Sequence, residues 1–502
     1  MKIKITIVTS VLVTAILLSS CGIIIINDKN GGDESTGGTS FTDKESLTGD
    51  SETEGNPDET RIPAVTTDDG EKASKDRLDE LVKRDFGGIG IIISSANDSF
   101  LMPGDRENIV SVQKYARNLA VEEKYNTIVM SERSSTAKKM LETVEEAVNA
   151  GMYFADLLAI PSSQLGTFAA RGLLLNLNSL PFTNFGADYF NGEAISQMSA
   201  GHVTYAAAGA LTEEAGYSYV VLYNKKLAET ELSGIDLYTA VKNGNWTWEA
   251  FYTLCSSAFS DINAEEAAFF THASAIDESS MVDLMFASSG GHYFENYYGQ
   301  TPVLSYNIPE TVSLIETAKK ILTDRESGYF NREYVPADTT AAFNRGEILF
   351  YINSLNSVSW FAPMRDSWGI LPLPKLSENQ NEYIAYCDRA IPVISAISGT
   401  SVENTGVFLQ AMNAASYKHI NQAFFDSLIN TTLRDNGSIL MLPYTVQKLS
   451  YDFAYMFGEG YSIISRGTYD FLRGCVLGTN TMERHYNSYT SNLEAQLAKT
   501  FG

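Results

Sequence analysis

The sequence has 502 residues, of which 61 are Asp or Glu and 36 are Lys or Arg, so its formal net charge is −25 at pH 7. This charge argues against a nucleic-acid partner, because nucleic-acid phosphates require a basic surface. The chain is also too long for one ordinary hydrophobic core, so we expect at least two lobes.

The chain begins with a segment typical of secretion. An uncharged apolar run extends from Ile5 to Ile26 behind two lysines, and two small residues precede Cys21. Leu-Ser-Ser-Cys at 18–21 resembles the bacterial lipobox, which implies that residues 1–20 are a lipoprotein signal peptide and that Cys21 carries lipid. The alternative is an uncut helix, since about 20 apolar residues can cross a bilayer. Both interpretations place the remaining chain outside the cytoplasm.

The segment at 21–80 is predicted to be a lipidated, disordered and acidic tether. Residues 27–80 contain 16 Asp or Glu against 6 Lys or Arg, with many Gly, Ser and Thr. Such a composition buries too little apolar surface to offset the entropy lost on ordering. Charge repulsion should extend the tether and hold a folded body away from the membrane.

Strands and helices alternate at the start of this body. "GIGIIIS" (88–94), "NTIVM" (126–130) and "ADLLAI" (155–160) are short apolar runs that predict strands. Apolar residues recur at helical spacing in two segments between them: Ile109, Val112, Ala116, Leu119 and Ala120, and then Met140, Leu141, Val144, Ala147 and Val148. The alternation predicts an α/β fold with a parallel sheet covered by helices on both faces.

Small polar residues indicate the limits of two of these helices. Ser134 or Ser135 is the expected cap of the second helix, and Gly151 its end. A third helix, within "SSQLGTFAARG", is expected to start at Ser162 or Ser163 and to end at Gly172.

The loops that follow the three strands are candidates for ligand binding. In open parallel sheets, ligands bind beyond the carboxyl ends of the strands, where backbone donors are unpaired. The candidate residues in these loops are Ser95, Asn97, Arg133, Ser162 and Ser163. Hydroxyl, amide and guanidinium groups suit a polar small molecule. The alternative for each serine is that it only caps a helix.

Five ordered stretches carry a resemblance to a known family. They are "FADLLAIPSSQLGTFAARGLLLNLNSL", "GYSYVVLYNKKLAE", "NGNWTWEAFYTLC", "FNRGEILFYINS" and "WGILPLPK". Together they resemble bacterial extracellular solute-binding proteins of family 1, the maltose-binding-protein-like receptors of ABC importers.

The resemblance implies a type II-like periplasmic-binding-protein fold, with two α/β lobes joined by crossover hinge segments. The first lobe would comprise residues 81–214 and 380–432. The second lobe would comprise residues 215–379 and 433–502. The lobes would close on a ligand held between them.

The resemblance also extends the set of candidate ligand-binding residues. The tryptophan and the aspartate that the family uses for sugar before the Gly-Leu-Leu helix are replaced here by Ile160 and Ser163. The stacking tryptophan expected after the "FNRGEILF" strand is replaced by Leu355 or Asn356. Residues near the implied crossovers and after the "FNRGEILF" strand could replace these family residues: Tyr217, Tyr219, Asn353, Asn356, Trp360, Tyr386, Asp388 and Arg389. A local salt bridge is the alternative for Asp388 and Arg389.

The tyrosine-rich segment 444–489 is assigned to packing, as are Trp246 and Trp248.

The sequence gives no motif for catalysis. It lacks a phosphate-binding Gly-x-x-x-x-Gly-Lys-Ser/Thr loop, a Gly-x-Ser-x-Gly elbow and a His-Glu-x-x-His helix. Neither a metal nor another cofactor is predicted, because the five histidines are widely separated. Cys255, Cys387 and Cys475 are expected to be buried and unpaired.

These observations predict a monomeric, lipid-anchored solute-binding protein on the extracytoplasmic face of the cell membrane of a Gram-positive bacterium. Its expected partners are a sugar or oligosaccharide and the permease subunits of an ABC transporter. It is not expected to be an enzyme. A cell-surface glycoside hydrolase, whose paired carboxylates no sequence pattern reveals, is one alternative. A receptor of the same fold that signals to a sensor protein is another.

Overall fold

Most of the strands belong to two four-stranded sheets. The computed structural model describes residues 67–96, 108–232, 234–259, 267–271, 278–323, 339–397 and 402–502. The strands, in chain order, are β1 Gly90–Ser95, β2 Ile128–Arg133, β3 Leu157–Pro161, β4 Ser199–Ala200, β5 Val203–Thr204, β6 Tyr219–Asn224, β7 Ala267–Thr271, β8 Phe294–Glu295, β9 Val303–Leu304, β10 Ile348–Ser354, β11 Trp368–Pro372, β12 Ile384–Tyr386, β13 Pro392–Ser395 and β14 Lys448–Ser450.

Helices flank both sheets and form most of the C-terminal part. In chain order they are α1 Thr67–Glu80, α2 Ile109–Tyr125, α3 Ala137–Ala150, α4 Leu165–Ala170, α5 Gly192–Gln197, α6 Lys225–Glu231, α7 Leu237–Lys242, α8 Trp248–Phe259, α9 Glu278–Ser288, α10 Pro309–Thr323, α11 Thr339–Asn344, α12 Val402–Ser416, α13 His419–Ser427, α14 Asn436–Thr445, α15 Phe453–Phe457, α16 Ser462–Gly467, α17 Tyr469–Val476 and α18 Met482–Phe501.

The first lobe is built on the sheet of order β13-β3-β1-β2. β1 is parallel to β2 and to β3, which confirms the parallel arrangement that the alternating pattern predicts. The late strand β13 adds to the edge of β3 in the antiparallel direction. Helix α3 contributes Met140, Leu141 and Val144 to the core on one face of this sheet, and α2 contributes Val121 and Tyr125 on the other.

The second lobe is built on the sheet of order β11-β6-β10-β7. Here β6 is antiparallel to both β10 and β11, and β10 is parallel to β7. The chain passes from the first lobe to the second before β6 and returns between β11 and β13. These two passages are joined by an isolated bridge between Ser218 and Cys387.

The C-terminal part of the chain adds to the second lobe and to the passage between the lobes. Helix α14 packs against β11. Strand β14 then pairs in parallel with β12, which lies in the returning passage. Helix α15 packs against α4 and the turn at Ser162–Gln164, which belong to the first lobe. The C-terminal part therefore contacts both lobes.

The disordered tether was expected to reach residue 80, but residues Thr67–Glu80 form helix α1. Its buried residues Gly70, Ser74 and Leu78 face α12 and α13. Arg77 adds hydrogen bonds of 3.0 and 2.8 Å to the carboxylate of Asp188. Two small residues and one leucine at this four-residue spacing bury one face of the helix despite the acidic composition around them. Cys21, the signal peptide and residues 27–66 lie outside the described residues.

Helix α2 has the predicted location but an unexpected orientation. The apolar residues Ile109, Val112 and Leu119, which reveal the helix in the sequence, are 37%, 44% and 45% exposed. The same helix buries four polar residues instead: Gln113, Lys114, Arg117 and Asn118. Packing against α12 and α13, rather than the amphipathic pattern, decides which side of α2 is covered.

The limits of two helices differ from those expected. Thr136, rather than Ser134 or Ser135, caps α3, and its hydroxyl accepts a hydrogen bond of 3.1 Å from Lys139 N. The end at Gly151 is confirmed by its left-handed φ of 63°. No serine caps the third predicted helix, because the chain first forms a short 3-10 turn at Ser162–Gln164.

The predictions for the tryptophans and cysteines are confirmed. Trp246 and Trp248 are fully buried, and their indole N–H groups donate to Pro372 O and Ser288 Oγ at 2.8 Å. The three cysteines of the described part, Cys255, Cys387 and Cys475, are buried and unpaired.

Candidate functional site

Serine residues at the carboxyl end of β3 connect the first lobe to the returning passage. Ser162 Oγ donates to Arg389 O at 3.1 Å, and Ser162 N donates to Ile391 O at 2.9 Å. Ser163 N donates to Arg389 O at 3.2 Å. Ser162 is almost fully buried, whereas Ser163 is partly exposed. The two predicted serines therefore lie directly against the backbone of the predicted Arg389.

The two passages between the lobes bring further predicted residues to the same place. Asp388 N donates to Tyr217 O at 2.8 Å. The ring of Tyr219 lies edge-on to the ring of Tyr386, with centroids 5.3 Å apart. Tyr217, Tyr219, Tyr386 and Asp388 are all partly exposed, so their side chains are available at the surface of this junction.

The guanidinium of Arg389 is the centre of a group that we call the arginine–tyrosine cluster: Asp283, Tyr386, Arg389, Tyr455, Tyr469 and Arg473. Arg389 lies 3.9 Å from the ring centroid of Tyr455 and 5.2 Å from that of Tyr469. It is also paired with Asp283 of α9, a carboxylate that Arg473 of α17 shares. The predicted alternative, a local salt bridge with Asp388, is therefore not the ion pair that Arg389 makes.

Near neutral pH, Arg389 in this cluster is charged, and Tyr386 and Tyr455 are neutral. Burial alone would lower the pKa of Arg389, but Tyr386 and Asp283 beside it raise that pKa well above its ordinary value. Burial raises the pKa values of Tyr386 and Tyr455, so both keep their hydroxyl protons near neutral pH. The cluster thus presents a permanent cation, phenolic hydroxyl groups and aromatic ring faces, which can bond to and stack on a hydroxylated ring.

The other predicted residues of the first lobe lie at the ends of β1 and β2. Ser95 pairs with Arg133 in the register of these strands, and its carbonyl accepts from Ser134 N at 3.0 Å. Ser95 is only 2% exposed, whereas Arg133 is exposed. Asn97 lies outside the described residues.

The predicted residues of the second lobe lie at and after the end of β10. Asn353 is buried within the strand, opposite Val220. Asn356 is exposed, and its side-chain amide packs against Gly216. A Cβ atom added to Gly216 would lie only 2.3 Å from Asn356 Oδ1. Trp360 is 49% exposed and lies further along the 3-10 helix that follows β10. Asn356 therefore lies beside the first passage.

Sequence reasoning missed four members of the cluster. Tyr455, Tyr469 and Arg473 belong to the segment that was assigned only to packing, and its density of tyrosines was the one available signal. Asp283 carried no signal at all, because it lies on a helix far from the other members in sequence. No group of three or more His, Cys, Asp or Glu in the described part of the chain is arranged to hold a metal ion.

Comparison with known protein families identifies the family to which this chain belongs. The sequence profile of a family described as bacterial extracellular solute-binding protein matches residues 120–416, more than half of the chain. A comparison with curated protein sequences gives no match. Among the described residues, no helix combines the length and apolar character needed to cross a bilayer.

Three solved structures are similar over most of this chain. An ABC substrate-binding protein from Listeria monocytogenes in complex with cycloalternan has 14% identity and a TM-score of 0.50, covering 82% of this chain and 99% of its own. A galacto-N-biose/lacto-N-biose I-binding protein of an ABC transporter from Bifidobacterium longum, in complex with lacto-N-biose, has 13% identity, a TM-score of 0.51 and coverages of 83% and 98%.

The third is a family 1 extracellular solute-binding protein from Bifidobacterium longum subsp. infantis, with 11% identity, a TM-score of 0.51 and coverages of 82% and 100%. At these identities the similarity concerns the fold. It confirms the predicted two-lobed periplasmic-binding-protein architecture.

Proposed function

Because this chain belongs to the bacterial extracellular solute-binding proteins, we propose that it captures a carbohydrate between its two lobes. The observation that carries the proposal is the arginine–tyrosine cluster at the junction of the lobes, against which Ser162 and Ser163 of the first lobe lie. Two of the structures of similar fold contain carbohydrates, which motivates the choice of ligand class.

The proposed ligand contacts combine stacking and hydrogen bonding. Tyr219 and Tyr386 provide ring faces or edges for the apolar side of a sugar, and Arg389 and Asp388 provide a donor and an acceptor for its hydroxyl groups. Ser163 supplies a hydroxyl from the first lobe. Ser95, Asn97, Arg133, Ser162, Tyr217, Asn353, Asn356 and Trp360 remain predicted contacts.

Capture would operate by closure of the lobes. A sugar that contacts both lobes binds the closed form more tightly than the open form, so it shifts a pre-existing equilibrium by the difference in affinity. The lobe boundaries predicted from the sequence, at residues 214, 379 and 432, would set the hinges. The protein itself performs no chemistry on the sugar.

The binding proposal is tested by calorimetry and thermal unfolding of the full chain in a mild detergent, with mono- and oligosaccharides, amino acids and short peptides. A ligand at about 100 times its Kd should stabilise the protein by roughly 2.7 kcal/mol. Stabilisation by amino acids or peptides alone would contradict the carbohydrate proposal. Consumption of the sugar would favour the glycoside hydrolase.

Variants of two arginines make the test specific to the site. Arg389→Gln removes the central cation and should weaken sugar binding at least tenfold. Arg345→Gln is the matched control, because Arg345 pairs with Glu347 in an exposed position on the second lobe. Tyr386→Phe keeps the ring and removes only its hydroxyl, so it should weaken binding without lowering stability much. Unchanged affinity in both site variants would remove the cluster from the binding site.

We further propose that the receptor is held at the extracytoplasmic membrane surface by lipid on Cys21 and delivers its solute to an ABC permease. Cys21→Ser should move the protein from the membrane fraction to the medium. Retention in the membrane would indicate the uncut helix instead. Deletion of the cognate permease genes should abolish uptake of the sugar, whereas uptake that persists with a lost transcriptional response would indicate the signalling receptor.

A further inference from the structure

A groove opens on the first lobe, away from the arginine–tyrosine cluster. It has a volume of about 640 Å³, with walls from three parts of the chain. The first is residues 188–192, the second is Gly209, Ala210 and Glu214, and the third is a set of residues between 417 and 425, around the start of α13. The middle wall belongs to the passage by which the chain reaches the second lobe. Pockets at such junctions are common locations for small-molecule sites.

Glu214 contributes a partly exposed carboxyl group to the wall of this groove. Its Oε2 accepts a hydrogen bond of 2.8 Å from Asn191 Nδ2, and its Oε1 accepts a long one, 3.5 Å, from Thr212 Oγ1. The Tyr451 hydroxyl is a further hydrogen-bonding neighbour of this carboxyl. No Lys, Arg or His among the described residues forms an ion pair with it. The adjacent Glu213, by contrast, is paired with Lys114 at 2.8 Å.

The absence of a counter-charge has an energetic consequence. A carboxylate removed from water is costly unless a cation or several hydrogen bonds compensate for the lost hydration. Burial accordingly raises the pKa of Glu214 to about 7. A cationic ligand in the groove would supply the missing charge, whereas a neutral ligand would not.

Aromatic rings in the same groove favour an organic cation. Tyr417 and Phe425 are partly exposed in its wall, and Tyr189 and Phe190 lie behind them. The ring of Tyr417 already attracts cations, because Lys418 Nζ lies 5.0 Å and Arg77 Cζ lies 5.8 Å from its centroid. The negative faces of such rings stabilise ammonium groups.

We infer that this groove binds a small organic ammonium compound, of the size of choline, whose charge is paired with the carboxylate of Glu214 and whose methyl groups lie against the rings of Tyr417 and Phe425. Lys418 and Arg77, which already lie near the ring of Tyr417, are internal competitors for this position. The inference is independent of the sugar site, since none of these residues belongs to the arginine–tyrosine cluster.

The first test compares two probes of the same shape by calorimetry on the full chain at pH 8. Choline carries a positive charge, and 3,3-dimethylbutan-1-ol replaces its nitrogen with carbon and is neutral. Choline should bind at least tenfold more tightly than the alcohol. Equal affinities, or no binding of choline at millimolar concentration, would overturn the inference.

Three variants assign the binding to the groove. Glu214→Gln should weaken choline binding at least tenfold, and Lys418→Met should tighten it by removing the competing ammonium group. Glu213→Gln is the matched control, because that carboxylate pairs with Lys114 and does not line the groove. Retained affinity in Glu214→Gln, with a native circular dichroism spectrum, would also overturn the inference.

Discussion

Replacement of Glu214 by Gln should change how the stability of the protein depends on pH. Burial raises the pKa of this carboxyl from its ordinary value of 4.5 to about 7 in the folded protein. Asn191 donates a hydrogen bond to it, which lowers the pKa but does not cancel the effect of burial. Gln keeps the shape of the side chain and cannot ionise.

The sign of the effect follows from proton binding. Between about pH 4.5 and pH 7 the folded state keeps a proton that the unfolded chain has released, so the free energy of unfolding falls as the pH rises. Each pH unit corresponds to about 1.4 kcal/mol, so the loss reaches roughly 3 kcal/mol by pH 8. This loss is absent in Glu214→Gln.

Two titratable groups beside Glu214 do not obscure the comparison. Burial raises the pKa values of the Cys387 thiol and the Tyr451 hydroxyl, so neither ionises below pH 8. Asp452, whose pKa burial raises to about 6, titrates in both proteins and cancels in the difference.

The assay is urea unfolding of both proteins at pH 4.5 and pH 8. The variant should be about as stable as the parent at pH 4.5 and more stable by up to roughly 3 kcal/mol at pH 8. Glu213→Gln, which removes the partner of the buried Lys114 ammonium, should be destabilised instead. Parallel pH profiles for Glu214→Gln and the parent would refute the assignment of a raised pKa to this carboxyl, which has no ion-pair partner among the described residues.

Three further substitutions test the backbone and the packing by chemical denaturation. Lys418 has φ 63° and ψ −48°, so Lys418→Gly should stabilise the protein by about 1 kcal/mol. Asn126→Gly is its control and should change stability by less than about 0.5 kcal/mol, because Asn tolerates the left-handed region. Gly166→Ala would place a Cβ atom 2.5 Å from the backbone of α15 and should cost about 1–3 kcal/mol, unlike Gly186→Ala, whose nearest neighbour is 3.4 Å away. Leu119→Gln should be neutral within about 0.5 kcal/mol, because this apolar residue is 45% exposed; a large loss would mean that α2 buries its apolar side after all.

Much of the fold could be predicted because its signals are local. Short apolar runs defined β1, β2 and β3, and a left-handed glycine, Gly151, ended α3 where expected. The ordered matches, read as a family resemblance, supplied the two lobes. Helix α2 shows the limit of such reasoning: its spacing predicted a helix, but the face that it buries depends on α12 and α13, which lie almost 300 residues later in the chain.

Some residues of the candidate site could likewise be predicted from the sequence, and others could not. The sequence by itself determined the residues near the passages, including Tyr219, Asp388 and Arg389, because their neighbours in the chain mark where it crosses between lobes. Only the tertiary structure decided that Asp283 and Tyr455 surround the same guanidinium, since no local pattern joins them. It also decided the environment of Glu214, because the surroundings of a carboxyl are a property of the packed protein and not of a residue type. Glu213 pairs with Lys114, whereas the adjacent Glu214 forms no ion pair with any of the described residues.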